Sequence, residues 1–169
     1  MEILWAGWRS AYMRAVTEQE ASDADDASCL FCALPDKGSD EETLVIARGE
    51  LVYSVMNLYP YTTGHLMVAP YRHIGSPGKA SHDEQLEMWD FLARSQRSLE
   101  VALDPDGFNL GANVGRDAGA GVLGHLHLHV VPRWRGDANF MTTSANVRIL
   151  PESIQETRSR LVEAFNKLG

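Results

Sequence analysis

Three of the six histidines in this chain lie at two-residue spacing within residues 124–132 (GHLHLHVVP). Apolar residues separate them, and strict alternation of this kind is typical of a half-buried strand. Because successive side chains of a strand point to opposite faces, we expect the three imidazoles to share one face. The apolar residues between them would then face the core. Three imidazoles on one sheet face are costly unless they bind a metal, a phosphate or one another.

Small and basic residues flank this stretch. Residues 113–121 (NVGRDAGAG) form a loop whose backbone N–H groups can approach an anion closely. Residues 132–141 (PRWRGDANFM) add two guanidinium groups. Together these features indicate histidines that handle phosphate. The alternative, an ordinary strand with polar residues facing outward, would be served better by Ser, Thr or Lys.

The sequence resembles the histidine triad family. Residues 125–131 (HLHLHVV) match its triad pattern, and residues 57–73 (NLYPYTTGHLMVAPYRH) resemble its other signature block. The resemblance extends over roughly residues 1–142. Several segments are most similar to the diadenosine tetraphosphate phosphorylase and hydrolase branch. These segments are Leu4-Trp5, Trp8-Arg9, 118–121, 130–134 and 136–141.

The resemblance implies a role for each histidine of the triad. It assigns the nucleophile to His127, whose imidazole is mostly neutral at pH 7 and attacks without a strong base. Attack on an α-phosphorus gives a covalent nucleotidyl-histidine. We expect His129 to donate to phosphate oxygens or to the leaving group, and His125 to be either a phosphate donor or a zinc ligand. His65 is expected to support the triad by contacting its histidines and not the substrate.

Seven further residues are expected to bind the substrate. They are Asn57, Asn113, Gly119, Ala120, Gly121, Arg133 and Asn139. The family position of Asn57 contacts the ribose, although a turn former before Tyr59-Pro60 is the alternative.

The loop residues of this set supply donors to the nonbridging oxygens, namely the side chain of Asn113 and the backbone of 119–121. Arg133, Arg135 and Asn139 receive the distal phosphates unless the arginines are simply solvated. Many relatives carry Gln, Ser or Thr near positions 121–122, where this chain has Gly-Val, a departure that fits the phosphorylase-like branch.

The only two cysteines, Cys29 and Cys32, are spaced as Cys-x-x-Cys. A disulfide is not expected in a chain with no secretory signal, and a redox motif lacks its βαβ context here. His73 and His125 are candidates to complete a tetrahedral zinc site. Some histidine triad relatives and the galactose-1-phosphate uridylyltransferases hold a structural zinc in this way. We therefore expect structural zinc and no organic cofactor, with two reduced, packed cysteines as the alternative.

The order of elements predicts an α+β fold of the histidine triad type, with an antiparallel sheet of about five strands. Strands are expected at 44–48, 51–56, 65–69 and 108–114, besides the triad strand. Ser81 and Glu84 fit a capping box that starts a long helix, which should end before Asp104-Pro105 and cover the sheet face opposite the histidines. A C-terminal helix is expected from Pro151.

The length predicts one domain over residues 1–169. Residues 1–28 would be an N-terminal segment and an acidic linker, 29–142 the core, and 143–169 the C-terminal helix region. The formal charge of −8 argues against nonspecific nucleic-acid binding, and no apolar run is long enough to span a membrane. We expect a cytoplasmic protein, and the resemblance implies a homodimer.

The leading hypothesis is an enzyme that cleaves dinucleoside polyphosphates through an adenylyl-His127 intermediate. Water as acceptor makes it a hydrolase and phosphate makes it a phosphorylase, and the sequence does not choose between them. Hydrolysis of nucleoside phosphoramidates is an alternative. The competing class is a nucleotide-binding scaffold that uses Trp5 and Trp8 to bind a protein partner. A DNA-end deadenylating enzyme is disfavoured by the net charge.

Overall fold

An antiparallel sheet of five strands organises the part of the chain that the computed structural model describes, residues 29–137 and 152–168. The strands are β1 (Val45–Arg48), β2 (Val52–Met56), β3 (Leu66–Pro70), β4 (Gly107–Gly111) and β5 (Leu128–Arg133), in the order β1-β2-β3-β5-β4. The helices are α1 (Leu30–Ala33), α2 (Asp40–Thr43), α3 (His82–Leu103) and α4 (Ile154–Lys167). Short 3₁₀ turns cover Leu34–Asp36, Pro77–Lys79 and Arg116–Ala118. The predicted α+β class, antiparallel sheet, long helix and C-terminal helix are confirmed.

The register of the sheet places the last triad histidine on an interior strand, next to the edge strand β4. His129 pairs with Met67 of β3 on one side and with Gly111 of β4 on the other. Neighbouring strands on both sides fix the backbone of β5, and the side chain of His129 is directed by that backbone. The sheet therefore provides a rigid support for the chemistry expected at this residue.

Helix α3 begins and ends where the sequence predicts. Ser81 Oγ accepts from the Glu84 N–H at 3.1 Å, and a Glu84 carboxylate oxygen accepts from the Ser81 N–H at 2.6 Å. The Arg72 guanidinium bonds to the same carboxylate and lowers the pKa of Glu84 to about 2. Leu103 is the last helical residue, ahead of Pro105.

Helix α3 packs on the sheet face opposite the triad, as predicted. Ser95 of the helix hydrogen-bonds to Ser54 of β2 at 3.1 Å, and both are fully buried. Side chains alternate along β2, so Tyr53 points to the other face, where its hydroxyl donates to the Phe31 carbonyl. The sheet thus separates an ordinary core from the histidines.

Three predicted boundaries differ from the structure by more than one residue. Strand β5 starts at Leu128, so His125 and His127 precede it, and β4 ends at Gly111. The last helix starts at Ile154, because Ser153 and Glu156 form a capping box. Its buried side includes Leu161 and Phe165.

Some predicted features lie outside the described residues. They are the segment 1–28 with Trp5 and Trp8, the substrate residue Asn139, and Pro151. Within the described ranges, no helix is both long and apolar enough to cross a membrane.

Replacing Ser81 with alanine should lower the free energy of unfolding by about 1 kcal/mol, because the Glu84 N–H loses its capping acceptor. Urea unfolding followed by circular dichroism measures the difference. Ser76→Ala is the matched control, since Ser76 precedes a 3₁₀ turn without a side-chain capping bond. Equal losses in the two variants would contradict this assignment.

Candidate active site and metal cluster

The three triad histidines are buried next to one another, with exposed fractions of 2% for His125, 4% for His127 and 9% for His129. The His127 and His129 rings are 4.9 Å apart between centroids and nearly perpendicular. His129 lies on β5, whereas the two preceding histidines lie in the segment that leads into it. In that segment the Leu126 N–H donates to the Ile74 carbonyl, so the chain pairs with the loop after β3. Leu126, one of the apolar residues that alternate with the histidines, is buried as the pattern predicts.

The hydrogen bond of His127 determines its tautomer. Its Nδ1 lies 2.9 Å from the backbone oxygen of His125. A carbonyl oxygen only accepts, so Nδ1 carries the hydrogen and Nε2 keeps its lone pair in the neutral ring. Burial lowers the pKa of His127, and the bond to His125 opposes that shift only in part. His127 is therefore a neutral imidazole with a nucleophilic nitrogen at Nε2.

His129 is the opposite tautomer of His127, and its hydrogen bond with His65 determines this. The Tyr61 N–H donates to His65 Nδ1 at 3.2 Å, so His65 carries its hydrogen on Nε2. That nitrogen lies 2.9 Å from His129 Nδ1 and donates to it. His129 therefore carries its own hydrogen on Nε2, a buried atom without a hydrogen-bond partner among the described residues. Burial, and secondarily the nearby His127, lower the pKa of His129 to about 4.

The two cysteines meet His73 and His125 in one cluster. The Cys29 Sγ and Cys32 Sγ atoms lie 3.3 and 3.4 Å from His125 Nδ1, and Cys32 Sγ lies 3.3 Å from His73 Nδ1. All four ligand atoms lie within 4.8 Å of one another. His125 Nε2 donates to the Pro70 carbonyl at 2.8 Å, which leaves a lone pair on Nδ1. Both ring nitrogens of His125 are thus used away from the His127 and His129 pair.

This cluster has the geometry of a tetrahedral metal site. Zinc bonds of about 2.0–2.3 Å place neighbouring sulfur and nitrogen ligands about 3.5 Å apart, close to the separations found here. A metal-bound histidine commonly donates its other N–H to a carbonyl, as His125 does to Pro70. The donor set and the tautomer both fit the predicted zinc.

A cavity of about 460 Å³ opens beside His129. Its walls include two of the predicted substrate residues, Asn113 and Arg133, together with Tyr61, Asn109 and Asp137. The volume lies in the ordinary range for small-molecule sites. The cavity gives a ligand direct access to His129.

Arg133 differs from the expected free cation for distal phosphates. Its guanidinium forms two bonds to Asp137, at 2.6 and 2.7 Å, and a third to the Asn109 side chain at 2.7 Å. The hydrogen bond that the Arg133 guanidinium donates to Asp137 raises the pKa of Arg133. The charge is balanced within the protein, so Arg133 lines the cavity as half of an ion pair.

Two other predicted substrate residues use their polar groups inside the protein. Asn57 Oδ1 accepts from the Tyr59 N–H at 2.9 Å, the turn that the alternative interpretation describes, and its amide nitrogen contacts His65 Nδ1 at 3.3 Å. The Gly119 N–H donates to the Arg116 carbonyl at 3.0 Å in a turn that requires a φ of 81° at Gly119. Ala120 is buried and Gly121 is exposed.

Sequence reasoning missed two aromatic residues of the site. The Phe31 ring stacks on His127 with centroids 4.7 Å apart, and the Tyr61 ring lies 4.5 Å from that of His65. Both belong to motifs already singled out, the Cys-x-x-Cys segment and the second signature block. Their apolar character predicts burial but not which imidazole they touch.

The free energy of unfolding should fall as the pH is lowered from 6.5 toward 4. With the pKa of His129 held at about 4, below the ordinary 6.5, the unfolded chain binds a proton in this window that the folded protein does not. Each unit by which folding lowers the pKa corresponds to about 1.4 kcal/mol in the free energy of unfolding. Urea unfolding at several pH values measures the slope. His129→Gln should flatten it and His82→Gln, at an exposed histidine, should not; an unchanged slope in His129→Gln would contradict the assignment.

Comparisons with known proteins place this geometry in a family. The HIT domain model matches residues 39–136. The AP-4-A phosphorylase of Mycobacterium tuberculosis is 40% identical over 162 residues, which cover 95% of this chain and 83% of that protein. The bis(5'-adenosyl)-triphosphatase of Dictyostelium discoideum is 30% identical over 118 residues, which cover 70% and 75% of the two chains.

A solved structure has the same fold. It is a zinc-bound histidine triad family protein from Mycobacterium smegmatis, with a TM-score of 0.68 and 28% identity over 85% of this chain and 97% of that one. The domain match covers more than half of the chain, and the similarity to the Mycobacterium tuberculosis protein over 95% of this chain agrees with it. The chain belongs to the HIT, or histidine triad, family.

Proposed function

We propose that this protein cleaves dinucleoside polyphosphates, of which diadenosine tetraphosphate is the model, at an α-phosphate through a covalent nucleotidyl-His127 intermediate. The observation that carries the proposal is the opposite tautomers of two adjacent imidazoles. His127 presents a lone pair at Nε2, and His129 presents a hydrogen there. The names of the two relatives, one a phosphorylase and one a triphosphatase, support this class of substrate.

In the first step, the Nε2 lone pair of His127 attacks the α-phosphorus. A nitrogen–phosphorus bond forms while the bond to the bridging oxygen breaks, and the remaining polyphosphate leaves with that electron pair. The imidazole becomes a cation, which the His125 carbonyl stabilises through the Nδ1 hydrogen bond of 2.9 Å. The Nε2–H of His129 is oriented by His65 and donates to a nonbridging oxygen, where charge increases in the transition state.

In the second step, water or inorganic phosphate attacks the same phosphorus. The nitrogen–phosphorus bond breaks and its electron pair returns to His127 Nε2. With diadenosine tetraphosphate, the first step releases ATP, and the second releases AMP with water or ADP with phosphate. The 40% identity to a phosphorylase supports phosphate as acceptor.

The cavity beside His129 is the proposed nucleotide site. Tyr61, which is 47% exposed, offers an aromatic ring to the cavity, and Asn113 offers an amide in its lining. The backbone of residues 120–121 is proposed to approach the phosphates. Since the Arg133 charge is balanced by Asp137, fixed hydrogen-bond donors rather than net positive charge account for phosphate binding.

Zinc is the proposed occupant of the Cys29, Cys32, His73 and His125 cluster. Bound there, zinc would tie α1 to the segment before β5 and act structurally, because all four of its coordination positions would be taken by the protein. The neighbour named as zinc-bound supports this identity. The homodimer, the cytoplasmic location and the single-domain organisation stay predictions.

Metal analysis of the purified protein should find about one zinc per chain. Cys29→Ser should lose most of it and unfold at lower temperature, because the ligand set is broken. His82→Gln, outside the cluster, should retain both zinc and stability. Lowering the pH should release the metal, since thiolate ligands must be deprotonated. Full thermal stability in metal-free protein would rule out a structural zinc.

Incubation with diadenosine tetraphosphate tests the reaction. In the presence of phosphate the protein should release ATP and ADP, and rapid quench should trap an acid-labile adenylate on the chain. His127→Asn should form no adenylate and lose about 10³-fold or more in turnover, because the covalent route needs the attacking nitrogen.

His129→Asn should still form the adenylate, at a rate about 10²–10³-fold lower, because it removes a donor and not the nucleophile. Mass analysis of the products with and without phosphate identifies the acceptor. An adenylate that persists in His127→Asn and disappears in His129→Asn would show that the histidines have exchanged roles.

A further inference from the structure

Phe31 lies between the two cysteines of the metal cluster and against the proposed nucleophile. Only 2% of its surface is exposed. Its ring stacks on His127 with a centroid distance of 4.7 Å and an interplanar angle of 26°, and it lies 5.4 Å from the His125 ring at 43°. The same aromatic side chain thus contacts a cluster ligand and the imidazole that carries the reactive lone pair.

The backbone of Phe31 is held from two directions. The Tyr53 hydroxyl donates to the Phe31 carbonyl at 2.7 Å, and Tyr53 is fully buried. The flanking cysteines lie at 3.3 and 3.4 Å from His125 Nδ1. A displacement of the Phe31 backbone would have to break the bond to Tyr53 or open the cysteine cluster, so the Cα from which the ring projects is fixed.

The position of the ring restricts the motion of His127. One hydrogen bond, from Nδ1 to the His125 carbonyl, sets the tautomer but leaves the imidazole able to tilt about that bond. A stacked phenyl ring removes this freedom, since tilting the imidazole would drive it into the phenyl face. The direction of the Nε2 lone pair then depends on Phe31 as well as on His125.

We propose that Phe31 is a positioning residue for His127, and that the segment 29–32 links the metal cluster to the nucleophile through this aromatic contact. The inference rests on the proposed function, in which Nε2 attacks an α-phosphorus. Alignment of the attacking atom lowers the barrier to the chemical step more than it strengthens binding of the substrate. Loss of the contact should therefore lower the rate of adenylylation and leave KM nearly unchanged.

Phe31→Leu tests the contact, because leucine keeps an apolar side chain and removes the aromatic face. Phe91→Leu is the matched control: Phe91 is 3% exposed and packs against Phe165 of α4. In single-turnover experiments with diadenosine tetraphosphate, Phe31→Leu should form the adenylate about tenfold more slowly, with KM changed less than twofold. Phe91→Leu should adenylylate at the wild-type rate even if its thermal stability is lower.

Nuclear magnetic resonance of the metal-containing protein with labelled histidine gives a readout independent of turnover. In wild type, the ring protons of His127 should show Overhauser contacts to the Phe31 ring and an upfield ring-current shift that disappears in Phe31→Leu. Absence of these contacts in wild type overturns the inference even if Phe31→Leu fails to fold. Equal adenylylation rates in the two leucine variants overturn it as well. A wild-type protein that shows the contacts but forms no adenylate contradicts the proposed function instead.

Discussion

The hydrogen bond from His127 Nδ1 to the His125 carbonyl is the interaction on which the rest of the site depends. A buried imidazole without a partner is costly, so this bond satisfies one nitrogen and leaves the other for chemistry. It forms because β5 starts at Leu128, which leaves the carbonyl of His125 outside the strand and accessible to a side chain. The irregular entry to the strand therefore leaves the His125 carbonyl free to accept from His127 Nδ1, which keeps the lone pair of His127 on Nε2.

Five of the six histidines take part in two adjoining networks with separate tasks. His73 and His125 face the cysteines, whereas His65, His127 and His129 are arranged so that each neutral ring has one donor and one acceptor. Because burial lowers the pKa values of His127 and His129, both rings stay neutral near pH 7. Oriented N–H groups in a dry environment are strong electrostatic partners for an anion, even where the rings that carry them are uncharged.

The sequence predicted those features that follow from local pattern. Alternation of apolar and polar residues predicted the strands, and Ser81 and Glu84 predicted the start of α3. The spacing of Cys29 and Cys32 indicated a cluster, which His73 and His125 complete in the fold. What the sequence left open is which of several possible partners each polar side chain uses. The Asn57 amide is used within the protein, since its oxygen accepts from the Tyr59 N–H and its nitrogen contacts His65 Nδ1. The Arg133 charge is balanced by Asp137, and Asn109 on the neighbouring strand accepts a further bond from the guanidinium. Helix α4 begins after Ser153 and not at Pro151 as predicted, because the reciprocal cap of Ser153 satisfies two N–H groups and a proline satisfies none.

The two faces of the sheet divide stability from chemistry. On one face α3 and α4 pack an ordinary apolar core, where Phe91 meets Phe165 and Ser54 meets Ser95. On the other face the segment 29–32 supplies two of the four cluster residues and the ring that stacks on His127. A change on the helical face can therefore alter stability alone. A change at Cys29, Phe31 or Cys32 should alter both the stability and the geometry of the site, since these residues contact the cluster histidines, the Tyr53 hydroxyl and the His127 ring.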